Sequence, residues 1–244
     1  MKVVAIVQAR MESTRLPGKV LQDLEGATVL ARVVNRVRRA GLINEVLVAT
    51  TDGAADDAIV KECRSLSVSV SRGDRDDVLD RYFRAAQLSK SEVVVRITAD
   101  CPLIDPEVVD KTVGAFLEAR PDYASNVLVR TYPRGLDTEV MSFAALGRAW
   151  QGARRPYERE HVTPYIYEHP AEFKLLSVTS EGDYSGHRWT VDTPEDLELV
   201  RAIYARVTDK TTFRSPEVFE LLDREPELMD LNRSIAQKAL PQGG

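Results

Sequence analysis

Three cations and a tight turn follow the first apolar segment of the chain, within VQARMESTRLPGKVL at positions 7–21. Arg10, Arg15 and Lys19 could neutralise a polyphosphate, because a guanidinium binds phosphate through a planar fork and an ammonium binds it as a point charge. Gly18 allows the backbone to approach an anion closely. The stretch matches neither the Walker A pattern nor GxGxxG. A solvated basic loop is the alternative interpretation.

Two aspartates further along the chain could complete such a site with a divalent cation. Asp100, in RITADCPLIDP, follows an apolar segment, and Asp192, in RWTVDTPEDLELV, ends an extended run. Mg²⁺ prefers a few carboxylates together with phosphate oxygens and water. A strand-end turn would explain Asp100 equally well. A helix start at Thr193 explains the acids after Asp192, but it leaves Asp192 itself without a structural role.

The segments that must position these residues alternate between strand and helix patterns in the first half of the chain. This alternation predicts a parallel sheet with helices on both faces, in which ligands bind beyond the carboxyl ends of the strands. The basic loop and Asp100 both follow predicted strands. The predicted strands are 3–7, 45–49, 67–70 and 92–98, and the predicted helices are 28–39, 54–65, 76–88 and 106–118.

The second half of the chain is less regular. Its patterns predict extended segments at 123–129, 138–141 and 172–178, and helices at 157–168 and 194–206. An acidic amphipathic segment begins at Ser215 and fades into PQGG. We therefore expect one domain over 1–244, with a smaller lid or dimerisation subdomain at 123–180 and a C-terminal helical extension at 207–244.

Composition narrows the class of partner. The 244 residues are 43% hydrophobic and carry a formal net charge of -5, which argues against nucleic acid but not against a small anion in a locally basic pocket. Cys63 and Cys101 stand far apart, so neither a disulfide framework nor a zinc site is expected. No apolar run approaches membrane-spanning length. These features predict a reducing, cytoplasmic setting and no membrane partner.

The order of ARMESTRLPGK, TADCPLID and VDTPEDL resembles the cytidylyltransferases that activate acidic sugars, the CMP-sialate and CMP-3-deoxy-octulosonate synthetase group. RGDRDDVLDRY and YPRGLDTEV are similar to one branch of this group, named after spore-coat polysaccharide biosynthesis protein F. The resemblance runs from Lys2 to about Arg206. Cys101 and Pro102 differ from the residues beside the mid-chain aspartate of the sialate and octulosonate enzymes, so their sugar specificity does not carry over.

The resemblance implies a three-layer α/β fold of the nucleotide-diphospho-sugar transferase type. This fold is Rossmann-like, with a mostly parallel sheet and a small dimerisation or lid subdomain, and it implies a homodimer. The implied reaction couples CTP to an acidic, nonulosonate-like sugar, giving a CMP-sugar and pyrophosphate for surface polysaccharide biosynthesis. Mg²⁺ is the implied cofactor.

The resemblance also implies roles for individual residues. Asp100 and Asp192 would be the metal ligands. The catalytic set would be Arg10, Arg15, Lys19, Asp100 and Asp192. The nucleotide would contact Ala9, Arg10, Ser13, Arg15, Lys19, Thr50, Thr51, Arg72 and Gly73, and the sugar would contact Arg134, Asp137, Glu139 and Glu160.

Two other functions stay open at this point. A glycosyltransferase of the related fold would consume an activated sugar, but such enzymes usually have an acid-any-acid metal motif, and ITADCPL offers one acid only. A non-catalytic nucleotide-binding protein is the other alternative. A few residues could also admit GTP in place of CTP.

Overall fold

The computed structural model describes residues 1–237. Its centre is a seven-stranded sheet in the order β3-β2-β1-β4-β6-β5-β7. Within these residues, β6 alone runs antiparallel to both of its neighbours, while the other neighbouring strands are parallel. The predicted α/β fold with a mostly parallel sheet is confirmed. The strands are β1 (Val3–Gln8), β2 (Glu45–Thr51), β3 (Ser69–Gly73), β4 (Val93–Thr98), β5 (Tyr123–Ser125), β6 (Glu139–Ser142) and β7 (Leu175–Ser177).

Helices cover both faces of the sheet. One face packs against α1, α2 and α4. The other face packs against α3, α5 and α7, together with Val162 after α6 and Phe173 after α7. A third apolar cluster joins α8 and α9 to Trp189 beside the sheet. The helices are α1 (Val29–Val37), α2 (Asp57–Ser65), α3 (Val78–Leu88), α4 (Pro106–Ala119), α5 (Phe143–Gly152), α6 (Pro156–His161), α7 (Pro164–Tyr167), α8 (Pro194–Arg206) and α9 (Ser215–Arg224).

The central strand β1 shows why its sequence is apolar throughout. Val3, Ala5 and Val7 enter the cluster on one face, while Val4 and Ile6 enter the cluster on the other. Successive side chains of a strand point to opposite faces, so a strand covered on both sides needs a continuous apolar run. The run ends at the basic loop, which therefore lies at the carboxyl end of β1.

Side-chain caps fix the starts of several helices. The side chain of Thr28 accepts a hydrogen bond from Ala31 N at the start of α1, and Asp105 caps α4 with Pro106 in its first turn. Thr193 caps α8 in a reciprocal box with Asp196. Such caps satisfy backbone N–H groups that have no partner within the helix. The helix starts predicted at Pro106 and Pro194 are confirmed.

Two predicted elements of the second half were wrong in extent, and one helix was missed. The strand predicted at 123–129 ends at Ser125. The helix predicted at 157–168 is two short helices, because Val162 has a φ of 73° and Pro164 then begins a new turn. Helix α5 was missed, since the two glycines of FAALGRAWQG lower its helix propensity.

Residues 123–180 supply β5, β6 and β7, which complete the main sheet. The segment is therefore continuous with the core, and its role in dimerisation or as a lid stays a prediction. In the C-terminal extension, α9 and the 3-10 turn Pro226–Leu231 pack against α8 and Trp189. The end of the predicted extension, 238–244, lies outside the described residues. No helix in the described part of the chain is long and apolar enough to cross a membrane.

Candidate active site

A cleft of about 2110 Å³ opens at the carboxyl ends of β1 and β4. Its walls come from the basic loop after β1, the segment from Asp74 into α3, and the loops of the second half. The structure thus brings most of the predicted site residues together, as expected for ligand sites of open α/β sheets. Those that line the cleft are Ala9, Arg10, Ser13, Arg15, Lys19, Asp100, Arg134, Asp137, Glu139, Glu160 and Asp192.

Lys19 lies between the two predicted metal-binding aspartates. Its Nζ atom is 2.6 Å from Oδ2 of Asp100 and 2.8 Å from Oδ1 of Asp192. Gly18, with a φ of 70°, reverses the chain so that Lys19 begins a short 3-10 turn. Lys19 is only 9% exposed, so its charge is directed inward onto the carboxylates.

The charges of this cluster stabilise one another. Burial acts to lower the pKa of Lys19, but Asp100 and Asp192 outweigh it, and the net shift is upward. Burial acts to raise the pKa of Asp100, but Lys19 and hydrogen bonds from Thr98 and Cys101 bring it well below its usual value. The Lys19 ammonium and the Asp100 carboxylate are therefore both charged at neutral pH.

Asp192 is held by two further cations. Its Oδ2 atom lies 3.0 Å from Arg15 and 2.8 Å from Arg188. Arg188 also binds the fully buried Asp196, which in turn accepts a hydrogen bond from the backbone N of Asp192. Arg188 therefore orients the second carboxylate. Its place in RWTVD, four residues before Asp192, is the sequence signal that would have found it.

The donor set of this cluster fits Mg²⁺. Asp100 and Asp192 share one bound nitrogen, so a cation in the position of the Lys19 ammonium would contact both carboxylates. Residues 1–237 contain no group of three or more His, Cys, Asp or Glu side chains arranged to hold a metal. Mg²⁺ commonly binds through one or two carboxylates and completes its shell with substrate phosphates and water.

Four predicted nucleotide-binding residues do not line the cleft: Thr50, Thr51, Arg72 and Gly73. The hydroxyl groups of Thr50 and Thr51 instead donate to Oδ2 of Asp56, at 2.8 and 2.6 Å. Oδ1 of Asp56 accepts a hydrogen bond from Met11 N in the basic loop, at 2.8 Å. Asp56, which the sequence analysis missed, therefore ties the end of β2 to the basic loop. Direct contact of the two threonines with the nucleotide stays a prediction.

Arg72 points away from the cleft. It donates to the backbone oxygens of Thr51 and Gly53 and pairs with Asp57. These bonds hold the end of β2 against the end of β3. Arg72 thus links the two strands outside the cleft lining, and its contact with a base stays a prediction.

The acids predicted to bind the sugar differ in how far their carboxylate oxygens are already bonded to other protein groups. Both oxygens of Asp137 are held by Arg130, at 2.7 and 3.0 Å. The buried Glu139 pairs with Arg96 and accepts hydrogen bonds from Tyr123 and Thr163. Because its oxygens already have protein partners, Glu139 is better placed to orient Arg96 than to bind a ligand.

Arg134 and Glu160 are more accessible to a ligand. The Arg134 guanidinium forms no hydrogen bond or ion pair with any residue in 1–237, and burial lowers its pKa. Glu160 lies 3.8 Å from Arg10 across the cleft, and both side chains are exposed. Arg134 therefore offers an unused guanidinium on the second-half wall, the side of the cleft lined by Arg130, Arg134, Asp137 and Glu139. Arg96 and Arg130, which also line this wall, were missed because they are single cations within mixed or apolar segments.

The model of the cytidylyltransferase family matches residues 4–228, which include every site residue named above. The chain belongs to the cytidylyltransferase family. It is 33% identical to the spore coat polysaccharide biosynthesis protein SpsF of Bacillus subtilis, over 92% of this chain and 95% of that protein. It is 32% identical to a 3-deoxy-manno-octulosonate cytidylyltransferase of Anaeromyxobacter dehalogenans, over 83% and 98% of the two chains.

A solved structure of a cytidylyltransferase from Leptospira borgpetersenii is similar over nearly the whole length. The TM-score is 0.91 at 35% identity, with 97% of this chain and 100% of that chain covered. The predicted family and branch are thereby confirmed. Membership of the cytidylyltransferases favours nucleotidyl transfer over the glycosyltransferase alternative.

Proposed function

We propose that this protein couples CTP to an acidic, nonulosonate-like sugar in a Mg²⁺-dependent reaction that gives a CMP-sugar and pyrophosphate. The observation that carries the proposal is the contact of Lys19 with both Asp100 and Asp192, with Arg15 beside them. Cations and carboxylates that meet at the end of a parallel sheet can hold a triphosphate together with a divalent cation.

In the proposed reaction a sugar hydroxyl oxygen bonds to the α-phosphorus of CTP. The bond from that phosphorus to the oxygen bridging to the β-phosphorus breaks, pyrophosphate leaves, and the hydroxyl proton is released. The protein contributes mainly position and charge neutralisation, as in other phosphoryl-type transfers. Lys19 and Arg15 can bind the phosphates, and Arg10 adds a cation at the open side of the cleft.

Asp100 and Asp192 would hold Mg²⁺, which when bound neutralises phosphate charge and polarises the phosphorus. Arg188 keeps Asp192 in place through its bonds to Asp192 and Asp196. Lys19 now occupies the position between the carboxylates. For both carboxylates to hold Mg²⁺, the Lys19 ammonium would have to turn toward the phosphates or share the carboxylates.

The acidic sugar is assigned to the second-half wall. Arg134 has an unused guanidinium there, and Arg96 and Arg130 add charge that is already paired with Glu139 and Asp137. A carboxylate ligand suits the fork of Arg134. The names of two relatives, a spore coat polysaccharide protein and an octulosonate cytidylyltransferase, support an acidic sugar destined for surface polysaccharide. A homodimer and a cytoplasmic location remain parts of the proposal.

The test is pyrophosphate release from CTP, GTP, UTP and ATP with a panel of nonulosonic and octulosonic acids and Mg²⁺. We expect release with CTP and one class of sugar acid, and its loss in Asp100→Asn. Lys210→Ala is the matched control, since Lys210 lies on the surface in an ion pair with Glu25. Binding of CTP without pyrophosphate release from any sugar acid would favour a non-catalytic nucleotide-binding protein. Preference for another triphosphate would contradict the choice of base.

A further inference from the structure

The segment that follows the 3-10 turn Pro226–Leu231 reaches back to the active-site cleft. Asn232 is only 6% exposed, and Gln237 lines the cleft. Both residues lie beyond residue 228, where the match to the family model ends. The reaction proposed above gives neither residue a role.

Apolar packing holds Asn232 in place. The 3-10 turn before it carries Leu228, which is buried in the same cluster as Trp189, and Leu231, which packs against that cluster. The backbone oxygen of Asn232 then accepts a hydrogen bond from Ile235 N at 3.0 Å, which closes a turn. The side chain of Asn232 is therefore presented to its partners in a fixed orientation.

The amide group of Asn232 bridges Arg188 and Asp196. Its Nδ2 atom donates to the backbone oxygen of Arg188 and to Oδ1 of Asp196, both at 2.9 Å. An amide nitrogen carries two hydrogens, so both are used. The fully buried Asp196 also accepts a hydrogen bond from Nε of Arg188 through the same oxygen. Asn232 thus fixes the backbone of Arg188 directly and its guanidinium through Asp196.

Gln237 binds the same guanidinium at the edge of the cleft. Its Oε1 atom accepts a hydrogen bond from Nη1 of Arg188 at 2.6 Å. Nε of Arg188 is bonded to Asp196, and Nη2 is bonded to Asp192 and Asp196. Each nitrogen of the guanidinium therefore has a partner, and residues 232–237 complete the surroundings of the arginine that orients Asp192.

We propose that Asn232 is a positioning residue for the metal site, because it holds the two residues that orient Asp192. This inference rests on the proposed function. Arg188 binds the carboxylate of Asp192 at 2.8 Å, and Asp196 binds its backbone nitrogen at 3.0 Å. Partners behind a metal-binding carboxylate fix its direction, and their loss commonly lowers metal affinity or activity by about 10- to 100-fold.

The experiment measures the Kd for CTP by calorimetric titration, once with excess Mg²⁺ and once with EDTA. In Asn232→Ala we expect the Kd with Mg²⁺ to rise by about 10-fold, at the low end of that range because Asn232 acts through other residues. The Kd with EDTA should stay within about twofold, because Lys19 and Arg15 can bind the phosphates without the metal.

Asn44→Ala is the matched control. Oδ1 of Asn44 accepts a hydrogen bond from Val3 N at 2.7 Å, just before β2 and so at the end of the sheet opposite the cleft. Both variants should lower the Tm of the ligand-free protein, since each loses hydrogen bonds of an asparagine. Only Asn232→Ala should reduce the effect of Mg²⁺ on CTP binding. Equal weakening of CTP binding with Mg²⁺ and with EDTA would overturn the proposal.

Two further variants test the route from Asn232 to the metal site. Asp196→Asn should itself raise the Kd with Mg²⁺, and adding Asn232→Ala to it should then have a clearly smaller effect, because the two residues act together. Fully additive effects would count against the proposal. Gln237→Ala, which removes an exposed side chain, should give a smaller loss of the same kind without disturbing the fold.

The wild type separates this inference from the proposed function. If Mg²⁺ tightens CTP binding equally in the wild type and in Asn232→Ala, this inference alone is wrong, and a lower Tm of the variant then shows a structural role. If the wild type binds CTP equally with Mg²⁺ and with EDTA, the Mg²⁺-dependent reaction proposed above is wrong, and the role of Asn232 fails with it.

Discussion

The ammonium nitrogen of Lys19 lies 2.6 Å from a carboxylate oxygen of Asp100, although the two residues are 81 positions apart in the sequence. The same nitrogen reaches Asp192 at 2.8 Å. One protein cation thus occupies the position where both carboxylates converge. In the proposed reaction Lys19 and Mg²⁺ would compete for the same oxygens, and the nucleotide phosphates would offer Lys19 an alternative partner.

Replacement of Lys19 should affect both stability and activity. Lys19→Met leaves two close carboxylates without their shared cation, and we expect the free energy of unfolding to fall by about 2–3 kcal/mol. Pyrophosphate release should be lost. Chemical denaturation and the release assay measure the two effects. Lys210→Met, which removes a partly exposed cation, should change neither, and an equal loss in both variants would contradict the role of Lys19.

Mg²⁺ should stabilise the Lys19→Met variant more than the wild type. In the variant, Asp100 and Asp192 have lost their shared cation, so a metal can enter without displacing one. Thermal unfolding with and without millimolar Mg²⁺ measures the difference. Adding Asp100→Asn to Lys19→Met should abolish the extra stabilisation by Mg²⁺, because one carboxylate is removed. A Mg²⁺ effect of the same size in all three proteins would place the metal elsewhere.

Asp100 should make stability depend on acid pH. Its carboxylate has a pKa of about 2 in the folded protein, below the usual 3.8, because Lys19 and hydrogen bonds outweigh the effect of burial. A lowered pKa stabilises the fold above pH 4, by about 2 kcal/mol, and this contribution is lost as the pH falls from 4 to 2. The difference in unfolding free energy between the wild type and Asp100→Asn should shrink over that range. A difference that stays constant to pH 2 would contradict the pairing.

Asp56 should support the nucleotide site without touching the ligand. Asp56→Asn weakens hydrogen bonds from Met11, Thr50 and Thr51, and we expect a loss of about 2 kcal/mol in unfolding free energy. The KM for CTP should rise several-fold while kcat stays within about twofold, because the basic loop loses its anchor. Asp57→Asn is the matched control, since Asp57 is 67% exposed. Unchanged KM in Asp56→Asn would show that the loop holds without this anchor.

Replacement of Arg134 should weaken binding of the sugar acid but not of CTP. Arg134→Gln removes the unused guanidinium of the second-half wall, so the KM for the sugar acid should rise by about 10- to 100-fold, the loss of one charge-assisted contact. The KM for CTP should stay within about twofold. Arg148→Gln, at a partly exposed ion pair with Asp122 outside the cleft, provides the control. A rise in the KM for CTP of the same size would move Arg134 to the nucleotide.

Much of the cluster formed by Lys19, Asp100 and Asp192 could be predicted from sequence because its residues follow strong local signals. The apolar run of β1 ends at the basic loop, and Asp100 follows the apolar run of β4. The carboxyl ends of parallel strands meet at one edge of the sheet, so Lys19 and Asp100 had to lie near each other once the alternation was recognised. Asp192 was predicted from its motif and because a helix that begins after Thr193 gives Asp192 no capping role.

The remaining site residues depend on contacts that local patterns do not encode. Thr50 and Thr51 end β2 as expected, yet their hydroxyl groups face Asp56, a pairing that only the packing of the following turn decides. Whether the carboxylate oxygens of Glu139 are left for a ligand similarly depends on Arg96, which lies on another strand.

The sequence by itself therefore determined the strand-helix alternation, the family and the cations and carboxylates at the strand ends, because each rests on local order along the chain. The tertiary structure alone decided which charges are paired and which are left for a ligand. Arg134 has no ion pair within residues 1–237, while Arg96, Arg130 and Arg188 are paired, because each outcome depends on which partners the fold brings together.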